Sequence, residues 1–207
     1  MTSRRTPSPT PPAPSRPAGR VRLIGGRWKR SVLPVLDLPG LRPSPDRVRE
    51  TVFNWLTHAF GDWTGRAALD LFAGTGALGF EAASRGAKPV VLVENHPKVV
   101  ERLVEAKERL HADDVEIRRG DAHSAAGALA AARRRFDVVF LDPPFEGDLL
   151  GRVLPLCDSL LAPEGFVYVE APVRLPAGLP LPTGFEVYRE DRAGEVFYHL
   201  LHRKKIA

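Results

Sequence analysis

The sequence predicts an α/β fold in which a mostly parallel sheet carries helices on both faces. From Ala67 onward, short apolar segments alternate with amphipathic helical segments, and glycines follow the first apolar segment. This alternation is typical of parallel strands joined by crossover helices. The chain has 207 residues, which is enough for one such domain and a smaller extension.

The elements of this sheet domain, residues 61–207, follow from the spacing of apolar residues. The predicted strands are 67–72, 90–94, 114–118, 136–141 and 164–170. The predicted helices between them are 77–86, 97–111, 124–134 and 148–160. Two further alternating segments, 185–189 and 195–201, are expected to form an antiparallel hairpin that turns near Gly194.

The first 60 residues are predicted to form a tail and a small extension. Residues 1–19 contain six prolines and no periodic apolar residues, which predicts a disordered tail. In the extension, residues 20–60, two short strands flank a basic loop at 25–30. A helix follows, with Ser44 as its expected N-cap and Pro45 as its first residue.

Positive charge is concentrated at the amino end. Residues 1–49 carry 11 Lys or Arg against two Asp, a net charge of +9, whereas the whole chain has a net charge of +5. Such a segment is typical of an arm that binds a polyanion, or of a solubilising tail. No apolar run approaches the roughly 20 residues of a membrane span, and a single cysteine, Cys157, cannot form an internal disulfide. We expect a cytoplasmic protein with no membrane segment.

A glycine-rich loop follows the first strand of the sheet domain, where glycines let the backbone approach a ligand. The pattern Gly74-x-Gly76-x-x-Gly79 is also the dinucleotide fingerprint, which is weak by itself. Glu94 ends the next strand and can accept hydrogen bonds from ribose hydroxyls of either cofactor class. Asp70 would repel a pyrophosphate and attract an ammonium group, so the loop favours S-adenosylmethionine.

The remaining cofactor contacts are expected at the same edge of the sheet. Asp121 follows the third strand and can accept a hydrogen bond from an adenine amino group, or serve as a turn or helix-cap residue. The predicted cofactor-binding residues are Asp70, Phe72, Ala73, Gly74, Thr75, Gly76, Glu94, Asn95, Asp121 and Ala122.

The fourth strand runs directly into the tetrapeptide Asp142, Pro143, Pro144 and Phe145. Two prolines remove backbone donors, so the segment presents the Asp142 carboxylate and nearby carbonyls as hydrogen-bond acceptors. Acceptors of this kind suit the exocyclic amino group of a nucleic-acid base, whose nitrogen becomes cationic as it is methylated. Phe145 is expected to stack on that base. The sequence therefore predicts an amino-methyltransferase site at these four residues.

Other chemistries find less support. Cys157 falls within a predicted helix, so a cysteine adduct has no evident nucleophile, and the six histidines have no metal-ligand spacing. We expect no metal. Two specific functions stay open at this point: an adenine-N6 methyltransferase acting on DNA or RNA, and a nicotinamide-dependent oxidoreductase that shares only the glycine loop.

The sequence resembles the bacterial 16S ribosomal RNA (guanine-N2)-methyltransferases that act on the small subunit, over about residues 20–203. The resemblance is carried by the segments 22–28, 40–56, 69–79 and 142–145. Of these, Gly-Leu-Arg-Pro-Ser-Pro-Asp-Arg-Val-Arg-Glu-Thr-Val-Phe-Asn-Trp-Leu at 40–56 is the most specific. The resemblance implies a class I methyltransferase with a Rossmann-like seven-stranded sheet. This sheet would bear the antiparallel carboxyl-terminal hairpin and the small amino-terminal basic hairpin and helix that are expected above.

The same resemblance implies S-adenosylmethionine as cofactor and a guanine in 16S rRNA of the small ribosomal subunit as substrate. We expect a monomer. Basic residues of the extension are then candidates for phosphate contacts that position RNA without reading its sequence. The predicted RNA-binding residues are Arg27, Lys29, Arg30, Arg42, Arg47 and Arg49.

Overall fold

A computed structural model describes residues 17–38, 44–145 and 147–204. Its strands are β1 Pro17–Arg22, β2 Val32–Leu36, β3 Ala68–Asp70, β4 Val90–Glu94, β5 Val115–Arg119, β6 Phe136–Leu141, β7 Leu161–Ala171, β8 Phe185–Ala193 and β9 Val196–Arg203. Its helices are α1 Asp46–Phe60, α2 Ala77–Arg85, α3 Pro97–Leu110, α4 Ala122–Ala131, α5 Leu149–Val153 and α6 Cys157–Leu160. A 3₁₀ turn, Leu154–Leu156, separates the last two helices.

Seven strands form one sheet in the order β5-β4-β3-β6-β7-β9-β8. The first five of these are parallel, and β9 pairs antiparallel with both β7 and β8. The order reverses between β3 and β6, which is where open parallel sheets bind ligands. The predicted fold class, with its antiparallel carboxyl-terminal hairpin, is confirmed.

Alternate residues of the central strands fill two hydrophobic layers, one on each face of the sheet. Val90 and Leu92 lie in the layer that also contains α1 and α2, whereas Val91 and Val93 face the layer formed with α4 to α6. All four side chains are fully buried. A parallel strand covered on both faces reads as a continuous apolar run, which is how this segment appears in the sequence.

The amino-terminal extension packs on the sheet domain through α2. The backbone N–H groups of Ile24 and Gly25 donate to the Glu81 carboxylate at 2.6 and 2.8 Å, and that of Trp28 donates to Ser84 Oγ at 2.9 Å. Gly26 has a φ of +70°, and a Cβ there would lie 1.9 Å from the Ser84 carbonyl oxygen. Only glycine therefore fits this close approach.

Three predicted boundaries are wrong in detail. The predicted helix 148–160 is interrupted because Pro155 lacks a backbone donor, so two short helices flank a 3₁₀ turn. Strand β1 starts at Pro17, inside the segment expected to be a disordered tail; residues 1–16 lie outside the described residues. Pro45 is the N-cap of α1, and Ser44 makes no capping bond.

In the ranges that the structure describes, no helix has the length and apolar character needed to cross a bilayer.

Candidate active site

A cavity of about 840 Å³ opens at the carboxyl ends of β3, β4, β6 and β7. The predicted cofactor residues that line it are Asp70, Phe72, Ala73, Gly74, Thr75, Glu94, Asn95, Asp121 and Ala122. All four residues of the tetrapeptide, Asp142 to Phe145, line it as well. The structure thus brings the two predicted groups of residues together in one space. The sequence did not predict Ser44, Val48, His96, Glu170 and Tyr198 as further lining residues.

The glycine loop is held by the carboxylate of Glu94. The N–H groups of Gly74 and His96 donate to its two oxygens at 2.9 and 2.8 Å. Each oxygen keeps a second lone pair, and the side chain is only partly buried, so it remains able to accept hydroxyl groups of a ligand. Gly76 does not line the cavity. Its φ of +78° makes the turn into α2, and a Cβ there would lie 2.5 Å from the Phe80 ring.

Asp70 lies below this loop and is almost completely buried, with 1% of its surface exposed. Its oxygens accept hydrogen bonds from the N–H groups of Phe72 and Gly79, both at 3.3 Å. Burial raises the pKa of Asp70 to about 7, since it outweighs these two hydrogen bonds. A cationic group placed in the cavity beside Asp70 would favour its ionised form.

The Asp70 pKa leads to a prediction about stability. An unfolded aspartate titrates near 3.8, so the folded state binds this proton more tightly, and stability falls as pH rises from about 4 to about 7. The contribution lost across this range is roughly 4 kcal/mol at most. Asp70→Asn should lose that part of the slope in denaturant unfolding at a series of pH values. Equal slopes in the two proteins would contradict a buried, neutral Asp70.

Asp121 is the N-cap of α4, and its carboxylate accepts a hydrogen bond from the N–H of Ser124 at 2.9 Å. This bond is the main reason that the pKa of Asp121 lies below its usual value. The helix-cap alternative left open by the sequence is therefore observed. The residue also lines the cavity, so the adenine contact stays a prediction.

The tetrapeptide leaves β6 with its members in different environments. Pro143 is buried, Pro144 is exposed, and the Phe145 side chain is 46% exposed at the cavity. An exposed aromatic ring beside a cavity is available for stacking with a planar group. Burial, followed by the charge of Glu170, raises the pKa of Asp142 well above its ordinary value.

Ser44 and Glu170 form a polar cluster with Asp142. Ser44 Oγ lies 3.1 Å from Asp142 Oδ2 and makes a short contact with Glu170 Oε1. The Tyr168 hydroxyl donates to the same Glu170 oxygen at 2.7 Å. Ser44 comes from the amino-terminal extension, so that extension contributes to the lining of the cavity. The hydroxyl expected to cap α1 instead bonds to carboxylates, because the chain before α1 enters this buried space.

The predicted RNA-binding residues separate into three groups. Arg27, Lys29, Arg30 and Arg47 are exposed. Arg42 lies outside the described residues. Arg49 is fully buried, and its guanidinium donates to the carbonyls of Ser44 and Arg22 and to the Asp46 carboxylate. The prediction for Arg49 is wrong, because a buried and paired guanidinium cannot reach a phosphate.

Comparisons with known proteins agree with this geometry. The family model described as Conserved hypothetical protein 95 matches residues 21–202. Ribosomal RNA small subunit methyltransferase D of Escherichia coli strain K12 is 41% identical over 190 residues, covering 90% of this chain and 92% of that protein. The protein of the same name from Haemophilus influenzae is 38% identical over 186 residues, covering 88% and 93%.

A solved structure, yhhF from Escherichia coli, has the same fold. It is 38% identical with a TM-score of 0.76, over 90% of this chain and 99% of that chain. The family model covers most of the chain, and the relatives match along nearly their full lengths. The chain therefore belongs to the Conserved hypothetical protein 95 family, together with the proteins named ribosomal RNA small subunit methyltransferase D.

Proposed function

We propose that this protein transfers a methyl group from S-adenosylmethionine to the exocyclic N2 amino group of a guanine in 16S rRNA of the small ribosomal subunit. The observation that carries the proposal is the position of the Asp142 carboxylate, which faces the same cavity as the glycine loop. The relatives named for small-subunit ribosomal RNA methylation support the substrate. Because the proposed substrate is ribosomal, we also propose a cytoplasmic location.

The cavity suits the proposed cofactor. Glu94 has free lone pairs for ribose hydroxyls, and Asp70 provides a carboxyl group for an ammonium. His96, whose backbone N–H donates to Glu94, lines the same cavity. When bound, S-adenosylmethionine supplies an electrophilic methyl group on a sulfonium centre.

Replacement of Glu94 by alanine should weaken cofactor binding. The loss should be roughly 1–3 kcal/mol, as expected when a charged acceptor is removed. Isothermal titration calorimetry with S-adenosylhomocysteine measures it. Glu101→Ala, an exposed site on α3, is the matched control and should bind normally. Unchanged affinity in Glu94→Ala would remove Glu94 from the cofactor site.

The chemistry proposed for the chain concerns the amino group. An exocyclic amine is a poor nucleophile because its lone pair is shared with the ring. Asp142 would accept its N–H hydrogens and stabilise the positive charge that develops on nitrogen. The Pro143 carbonyl offers a second acceptor next to it, and the Phe145 ring would stack on the base and orient it. The methylated nitrogen then gives one proton to the carboxylate.

A base can enter the cavity only outside a helical stack, so the target guanine must be flipped out or lie in an RNA loop. Exposed Arg47 lies two residues after Pro45, which lines the cavity, and is therefore well placed for a neighbouring phosphate. The basic loop at Arg27 to Arg30 packs on the far end of α2 and would contact RNA further from the base.

The test is methyl transfer with labelled cofactor to small subunits from cells that lack the enzyme, compared with naked 16S rRNA and with DNA. Digestion of the labelled product to nucleosides should give N2-methylguanosine. Label in N6-methyladenosine would instead support the adenine-N6 alternative. Analytical ultracentrifugation of the same sample tests whether the protein is a monomer, as we also propose.

A further inference from the structure

The cluster formed by Ser44, Asp142 and Glu170 has one property that proposed methyl transfer does not explain. A serine hydroxyl has one hydrogen, yet Ser44 Oγ contacts a carboxyl oxygen on each side. It can donate to only one of them. The other contact is attractive only if that carboxyl group carries a proton and donates it to Ser44 Oγ.

The burial of the cluster makes this argument stronger. Ser44 is 8% exposed, Glu170 is 5% exposed and Asp142 is partly buried, so two carboxylates on one hydroxyl would repel each other with only partial screening by water. One shared proton removes that repulsion. It can rest on either carboxyl group, and the direction of the Ser44 O–H reverses between the two arrangements.

We propose that Ser44 and Glu170 are positioning residues that control the proton of Asp142 during the proposed methyl transfer. When the amino group of the base arrives, Asp142 Oδ2 gives its proton to Ser44 Oγ, and Ser44 gives its own hydrogen to Glu170 Oε1. Asp142 is left ionised, with Ser44 now donating to it. One O–H bond forms and one breaks at each step, so no other reactant is needed.

The surroundings of the cluster are compatible with this role. Tyr168 donates to Glu170, and Tyr198, the cross-strand neighbour of Glu170 on β9, lines the same cavity. From α1, Arg49 donates to the Ser44 carbonyl and fixes the residue that carries the hydroxyl. Asp70 on β3 is the further acid whose charge acts on Asp142. Each of these groups stays unchanged in the variants below.

Two substitutions should shift the acid limb of the pH–rate profile in opposite directions. This limb is the pH range in which activity falls as the pH is lowered. Glu170→Gln removes the charge that holds a proton on Asp142, while its amide still donates to Ser44; the limb should move to lower pH, by about one unit. Ser44→Ala removes the donor that favours ionised Asp142, so the limb should move to higher pH. Glu170→Ala should also lower turnover by about tenfold to a hundredfold, since Ser44 loses the carboxylate that holds its hydroxyl in place beside Asp142.

The experiment is single-turnover methyl transfer to small subunits across a pH series, at saturating cofactor. Glu164→Gln, an exposed site on the same strand, is the control and should follow the unaltered protein. Melting temperatures identify variants that fail to fold, and Glu170→Gln preserves side-chain volume in any case. Limbs that stay in place, or that move in the same direction in Glu170→Gln and Ser44→Ala, overturn the inference.

The inference rests on the proposed function, but its failure can be distinguished. If the unaltered protein transfers no label to small subunits, the proposed function fails. If the unaltered protein is active and the two variants show its pH profile, only the role of Ser44 and Glu170 fails.

Discussion

Replacement of Asp142 by alanine is expected to lower the rate of methyl transfer by about a hundredfold to a thousandfold, the range found when one preorganised electrostatic group is removed. The reason is that its contacts with the amino group strengthen as the nitrogen becomes cationic. Cofactor affinity should stay nearly unchanged, because the ribose and ammonium contacts are assigned to Glu94 and Asp70. The lost interaction therefore belongs to the transition state and not to the bound cofactor.

Single-turnover kinetics and calorimetry separate these two effects. Asp148→Ala, an exposed acid six residues along the chain, provides the matched control and should keep full activity. Since Asp142 also contacts Ser44, the melting temperature of the variant must be compared as well. A folded Asp142→Ala protein with a full single-turnover rate would show that the carboxylate has no part in the chemistry.

The parts of the site that sequence reasoning found are those in which a short segment determines its own surroundings. A glycine loop after a buried strand, and a proline pair after another, meet at one edge of any parallel sheet. Glu94 was accessible in the same way, because it ends the neighbouring strand. Local pattern and topology together were sufficient for these residues.

Residues whose role depends on distant partners were not accessible in this way. Ser44 meets Asp142 across 98 residues of sequence and Glu170 across 126. Its position before a helical segment predicted an N-cap, and no local signal opposed that reading. Arg49 looked like a surface charge in a basic segment. In the folded extension it is fully buried, and its guanidinium donates to three acceptors. Glu170 did carry a local signal, since it ends an apolar strand. A glutamate in such a position is seldom buried unless it is paired.

Replacement of Arg27, Lys29 and Arg30 together by alanine is expected to weaken binding to the small subunit and to reduce its salt dependence. Each lost phosphate contact should lower the log–log slope by about one unit. Folding should be unaffected, since backbone groups make the bonds that hold this loop on Glu81 and Ser84. The ion pair of Arg27 with Asp114 is exposed and 4.0 Å long, so its loss costs little.

The control removes the same charge elsewhere. Arg133, Arg135 and Lys204 are exposed near the amino ends of β6 and β7, opposite the cavity, and their replacement by alanine should leave the salt slope unchanged. Cofactor affinity should be the same in both triple variants. If the basic-loop variant methylates small subunits with unaltered kinetics across the salt series, the loop makes no RNA contact. Phosphate recognition would then belong to residues nearer the cavity, with Arg47 as the next residue to replace.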